Sequence, residues 1–221
     1  MYAFAQRADT EVLDEPLYAD FLRRTGARRP DRAATLAAMD ADGARVLRER
    51  LLPPPARPLR FVKHIANQWG PLPDDALPRL GRHLLFLRDP RRIVASYARV
   101  VERPTADDVA LPGMLAFRDR LRAAGCAPLV LDAEDLRAAP EPTLRALCAA
   151  LGIPFDPAML RWPAGPRPED GPWAPWWYGR LHRSTGFEPE GQLPALSGEH
   201  AALAEACRPA WEALRADRLQ P

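Results

Sequence analysis

Four short apolar runs recur along the chain, each ending in charged residues: TEVLDEP (10–16), LRFVKHI (59–65), HLLFLRD (83–89) and APLVLDAED (127–135). Apolar runs this short, with charge gathered at one end, read as buried parallel strands whose carboxyl ends form a functional edge. Helical spacing fills the intervals. Residues 42–52 form one helical stretch, and residues 140–151 form another, with Leu144, Leu147, Cys148 and Leu151 on one face and Gly152 as its stop signal. Proline-rich LLPPPARP (51–58) is a rigid connection, and WPAGPRPEDGPWAPWWYG (162–179) holds too much Pro and Gly to be regular throughout. No internal repeat is present. The alternation predicts an α/β layered fold with a mostly parallel sheet, in which ligands sit at the carboxyl ends of the strands.

One junction can be read in detail. Residues 84–87 are the strand, Arg88 stands at its carboxyl end, Asp89 is a good N-cap, and Pro90 fits the first helical position. Ile93, Val94, Tyr97 and Val101 follow as a helix face turned to the sheet, which places Ser96 about two turns into the helix. An Arg at a strand tip and a hydroxyl on the next helix can converge on one anion, the guanidinium supplying a planar fork of donors. The plainer reading of the spacing pairs Arg88 with a surface carboxylate and turns Ser96 to solvent.

Length and charge narrow the classes. A chain of 221 residues is long enough for one sizeable core and short for two, so a single domain over residues 1–221 is expected. The net charge of +2, with basic residues interleaved among Asp and Glu, argues against a nucleic-acid binder. Nearly all the positive charge is Arg, Lys63 being the only lysine, and Ala and Pro are abundant, a bias of GC-rich, bacterial coding that weakens inference from any lone Arg. Cys126, Cys148 and Cys207 show neither metal spacing nor a disulfide framework, so a reducing cytoplasm and no metal are expected. No apolar stretch is long enough to cross a membrane, and the start MYAFAQRADTE lacks the pattern of a signal peptide.

The segment RDPRRIVASY, an apolar strand followed by Arg88 and then Ser96, resembles the 3′-phosphate-binding segment of sulfotransferases that use 3′-phosphoadenosine 5′-phosphosulfate (PAPS). FAQRADTEVLDEPLYADFL, FVKHIANQ and RALCAALGIPFDPAMLRWPAGPRPEDGPWAPWWYGRLHRSTGF extend the similarity to a sulfotransferase-like family of bacterial and plant proteins, over most of residues 1–190. Some members carry aminotransferase names because a plant version is fused to such a domain; nothing in this sequence supports that activity. The resemblance implies a three-layer, P-loop-NTPase-like fold and transfer of a sulfuryl group from PAPS to a hydroxyl or amine of a small acceptor. Adenosine 3′,5′-bisphosphate would be the product nucleotide, with Arg88 and Ser96 on its 3′-phosphate. Sulfuryl transfer needs a base for the acceptor's proton, and Glu15 and His64, both following strand ends, are the two candidates.

In WAPWWYGRLHRSTGF (173–187), Trp173, Trp176 and Tyr178 are candidates to stack on adenine or enclose an acceptor, and His182, Ser184 and Thr185 to reach a phosphate. Core or lid packing is the alternative for the aromatic residues. Two other function classes stay open. A P-loop-type kinase would need a GxxxxGK[ST] loop, which this sequence lacks, and a noncatalytic nucleotide binder would keep only the 3′-phosphate site.

The resemblance begins inside the helix that follows the family's 5′-phosphosulfate loop, so the first strand and that loop have no counterpart here. In the family that strand lies between those expected at 59–65 and 83–89. Two strand edges are then left open, at about 1–3 kcal/mol for each buried unsatisfied group. The expectation is that Met1 is an internal methionine of a longer gene, preceded by roughly 10–20 residues; a natural truncation without transfer activity is the alternative.

Overall fold

The structure, a computed structural model, describes residues 1–70 and 72–220. Its strands are β1 (Thr10–Asp14), β2 (Leu59–Lys63), β3 (Leu84–Leu87) and β4 (Leu129–Asp132). The first helices are α1 (Tyr18–Thr25), α2 (Arg32–Ala38), α3 (Gly43–Val46), α4 (Pro90–Tyr97), α5 (Ala106–Val109) and α6 (Leu111–Ala123). They are followed by α7 (Ala133–Ala138), α8 (Pro140–Leu151), α9 (Ala174–Trp177), α10 (Gly179–Arg183) and α11 (Gly198–Arg215). All four strands fall inside the apolar runs read from the sequence, and the class is mixed α/β with parallel strand pairs. These elements are carried by two compact units.

The first unit comprises Met1–Leu72 and Asp156–Phe187. β1 runs parallel to β2, in a register that pairs Thr10 with Leu59 and, at the carboxyl ends, Asp14 with Lys63. From α1, Tyr18, Phe21 and Leu22 pack against Trp173, Ala174 and Tyr178. The Trp173 indole meets the Tyr18 ring edge-on at 5.0 Å between centroids, a favoured aromatic geometry. Gly171 lies against that indole so closely that an added Cβ would overlap the ring. The helix expected over 42–52 is α3 followed by a wider π-type turn over Leu47–Leu51, closed by the Leu52 amide on the Leu47 carbonyl at 2.9 Å. Pro53, Pro54 and Pro55 then stop it, because proline has no N–H to continue the ladder.

The second unit comprises Pro73–Phe155 and Glu188–Pro221. β3 runs parallel to β4, pairing Leu84 with Leu129 and Leu87 with Asp132. α11 packs against α4 and α6, and Leu87, Val94, Leu121 and Leu214 are fully buried. Each strand of this pair leads into a helix through an aspartate cap: Asp89 accepts from the Arg91 amide at 2.8 Å and Asp132 from the Glu134 amide at 2.8 Å. α4 is shorter than its apolar pattern. It ends at Tyr97, and the Val100 and Val101 amides both donate to the Tyr97 carbonyl, so Val101 follows the helix in a tightened turn. α8 matches its expected span, and Gly152 closes it at φ 73°, a left-handed conformation that suits glycine.

Among the described residues no strand pairs with the second edge of β2 or of β3. No helix among them is long and apolar enough to cross a membrane.

Candidate functional site

In the first unit the carboxyl ends of β1 and β2 gather Asp14, Glu15, Lys63, Gln68 and Tyr178. The β1–β2 register sets Lys63 opposite Asp14. Glu15 then leaves the strand with φ 42°, a conformation sparsely populated by non-glycine residues, and its backbone is clamped on both sides. Its N–H donates to the Lys63 carbonyl at 2.8 Å and its carbonyl accepts from the Tyr18 amide at 2.9 Å. The turn carries the Glu15 side chain back over Lys63. The Lys63 ammonium donates to Glu15, to Asp14 Oδ1 at 3.2 Å and to the Tyr178 hydroxyl at 2.7 Å. Tyr178 in turn donates to Asp14 Oδ2 at 2.7 Å, and Gln68 Nε2 donates to the other Glu15 oxygen.

Burial alone would lower the pKa of Lys63, but Glu15, Tyr178 and Asp14 outweigh it and hold the group well above its ordinary value. The Tyr178 phenol is raised, chiefly by burial; Lys63 opposes that shift, while Glu15 and Asp14 reinforce it. Lysine is therefore an ammonium and the tyrosine a neutral donor at neutral pH. His64, next along the chain, is half-buried and stands edge-on to Trp69 at 6.5 Å.

In the second unit the carboxyl ends of β3 and β4 gather arginines. Arg88 follows β3, Arg92 lies on the first turn of α4, and Arg137 on the last turn of α7. All three meet the Glu190 carboxylate: Arg88 Nη2 at 3.0 Å, Arg137 Nη1 at 3.3 Å and Arg92 Nη1 at 3.5 Å. Arg92 also donates to Glu134 at 2.9 Å. Ser96 lies four residues after Arg92 on the same helix, hence on the same face, and is exposed. The Arg88–carboxylate pairing that the plainer reading anticipated is present, but the carboxylate is a buried one with three guanidinium partners.

The remaining candidates separate. Trp173 is 2 % exposed and packed in the core, where its indole N–H donates to Tyr178 at 3.3 Å. Tyr178 is also buried and tied to Lys63 and Asp14, so its role is internal to the charged cluster. Trp176 is exposed, and the indole of Trp177 donates to Asp31 at 2.9 Å. His182 Nε2 bonds Asp170 at 3.0 Å, an oxygen pair that Tyr2 also reaches at 2.8 and 2.9 Å. Ser184 donates to the Leu181 carbonyl at 2.7 Å and accepts from the Trp162 indole at 3.0 Å. Thr185 is exposed, and its carbonyl accepts from the Trp162 amide at 3.1 Å. In this structure Ser184 fastens the segment to Trp162, and His182 is held by Asp170.

Lys63, Asp14 and Gln68 were not singled out by the sequence, nor were Arg92, Arg137 and Glu190. The parallel register makes Lys63 legible in retrospect, since it ends β2 as Asp14 ends β1. Arg92 and Arg137 carried no signal in a chain so rich in arginine.

Similarity to known proteins bears on both sites. The sulfotransferase domain family matches residues 1–218. Two curated relatives from Arabidopsis thaliana, named branched-chain-amino-acid aminotransferase-like proteins 2 and 1, are each 42 % identical over 219 and 218 residues, 97 % of this chain. The chain spans only 38 % and 39 % of their lengths. A solved structure, a sulfotransferase domain from the curacin biosynthetic pathway, aligns over 93 % of this chain and 79 % of its own at 16 % identity, with a TM-score of 0.39. With the family spanning nearly every residue that carries the two charged clusters, the chain belongs to the sulfotransferase domain family.

Proposed function

We propose that the chain transfers a sulfuryl group from PAPS to a hydroxyl or amine of a small molecule, with Arg88 and Ser96 on the 3′-phosphate of the nucleotide. The observation that carries this reading is the convergence of Arg88, Arg92 and Arg137 on one carboxylate. Guanidinium groups bind carboxylate and phosphate with the same fork of donors, so a site that holds one anion with three arginines suits a phosphate dianion. The 3′-phosphate is what distinguishes PAPS from ATP, and an arginine cluster at that place supplies donor selectivity.

In the transfer the acceptor oxygen or nitrogen forms the new bond to sulfur as the bond from sulfur to the 5′-phosphate oxygen breaks. Adenosine 3′,5′-bisphosphate leaves, and the base takes the acceptor's proton. Glu15 is the favoured base over His64, because its strained backbone and the two donors on it, Lys63 and Gln68, fix a carboxylate at the end of β1, as functional sites often store strain. Lys63 and Gln68 position that carboxylate.

Arg88→Ala is expected to abolish binding of adenosine 3′,5′-bisphosphate in calorimetry while the protein stays folded, and unchanged affinity would remove the assignment. A thermal-shift panel separates the classes. Stabilisation by the bisphosphate supports the reading, whereas stabilisation by ATP with magnesium alone would favour a kinase. Loss of turnover in Glu15→Gln with retention in His64→Asn identifies the base.

A further inference from the structure

The segment 188–194 has no regular secondary structure, and its neighbours on both sides of Glu190 are exposed. Yet the Glu190 side chain is only 7 % exposed. Arginines also hold the backbone around it. Arg137 Nε donates to the Glu188 carbonyl at 2.9 Å, Arg92 to the carbonyls of Gly191 at 2.6 Å and Gln192 at 3.3 Å, and Arg91 to that of Pro194 at 2.9 Å. A surface strap is thus pinned by the same side chains that would hold a phosphate, with its one inward carboxylate at their centre.

We propose that Glu190 is a displaceable internal ligand of this site: it occupies the place of the nucleotide's 3′-phosphate, and phosphate binding to Arg88, Arg92 and Arg137 expels it and releases the strap. The inference rests on the phosphate-site reading above and adds the regulation of that site and two further binding residues. The charge balance favours the exchange. Three guanidinium groups face the Glu190 carboxylate, and one of them, Arg92, also meets Glu134. A phosphate brings nearly two negative charges and three acceptor oxygens where the carboxylate brings one charge and two. The cost is the set of bonds that hold the strap, so Glu190 lowers the apparent affinity in the way any competing occupant does.

The test is calorimetry on the full chain with adenosine 3′,5′-bisphosphate, adenosine 5′-monophosphate and inorganic phosphate, for the wild type and Glu190→Gln. Glu190→Gln is expected to bind the bisphosphate at least about tenfold tighter, the size of one charge-assisted hydrogen bond no longer in competition. Adenosine 5′-monophosphate should not gain. Where the wild type binds the bisphosphate, equal or weaker binding by the variant would mean that Glu190 orients the arginines instead of competing, and overturns the proposal. If neither protein binds the bisphosphate but the variant gains affinity for inorganic phosphate, the displaceable ligand stands and the nucleotide reading fails. If the variant binds no probe better than the wild type, the proposal fails outright. Hydrogen exchange on the wild type gives an independent measurement should the variant not fold: saturating bisphosphate or phosphate is expected to speed amide exchange over 188–194, and slower or unchanged exchange there counts against the proposal.

Discussion

The two charged clusters occupy equivalent places, each at the carboxyl ends of a parallel strand pair, but their charge is arranged in opposite ways. In the first unit the Lys63 ammonium donates to both carboxylates, Asp14 and Glu15, and to the Tyr178 phenol, which in turn donates to Asp14. Asp14 has no exposed side-chain surface, and the cluster is welded to strand register and to a strained turn. In the second unit three guanidinium groups share one carboxylate, which rides on an irregular surface strap. The lesson is that a buried set of charges tied to strand register serves to fix geometry, whereas guanidinium groups gathered around a counter-ion on an irregular strap are suited to exchange one anion for another. Under the proposed function, the first arrangement is the one that positions a base and the second the one that receives the phosphate.

That contrast is broken most forcefully at Lys63. Lys63→Met leaves Asp14 and Glu15 buried without their cation and is expected to cost about 3–5 kcal/mol in urea unfolding. A loss below about 1 kcal/mol would show that the first cluster is as replaceable as the second. The pH dependence follows from the direction of the shift. Because the Lys63 pKa in the folded protein lies above its unfolded value, its contribution is complete below roughly pH 10, the ordinary lysine range, and is lost as pH rises through the raised value. The arginines of the second unit stay charged over that interval. Denaturant midpoints measured from pH 8 upward should fall at the alkaline end for the wild type and stay flatter for Lys63→Met.

Gly171→Ala probes how firmly the aromatic packing backs the first cluster. The new methyl meets the Trp173 ring, which is 2 % exposed and has nowhere to move, so a loss of about 1–3 kcal/mol in thermal or urea unfolding is expected. The smallest stability effect should come from Arg88→Ala. Glu190 keeps Arg92 and Arg137, so unfolding should change by less than about 1 kcal/mol even as bisphosphate binding is lost. A large destabilisation by Arg88→Ala would make the second cluster structural and erase the difference between the two.

Much of the scaffold was legible along the chain. The run HLLFLRDP specified a strand over 84–87, the Asp89 cap and Pro90 at the first helical position, because capping and strand termination depend on neighbours in sequence. Gly152 after Leu151 marked the end of α8 for the same reason. Glu15 and Arg88 could be picked out as charged residues at strand ends. Their partners could not, since Glu15 meets Lys63 across 48 positions and Arg88 meets Glu190 across 102.

By itself, then, the sequence determined the four strands, the helices following Pro90 and over 140–151 with their terminal signals, and which strand ends carry charge, all of which follow from local backbone preference and periodicity. Tertiary structure alone decided what those charges do. The β1–β2 register brought Lys63 to Asp14 and Glu15, packing took Trp173 into the core where the sequence left core packing and ligand stacking both open, and the return of residues 188–194 laid Glu190 among three arginines. Coulomb attraction and desolvation act between groups that are close in space, and no pattern along the chain records that closeness.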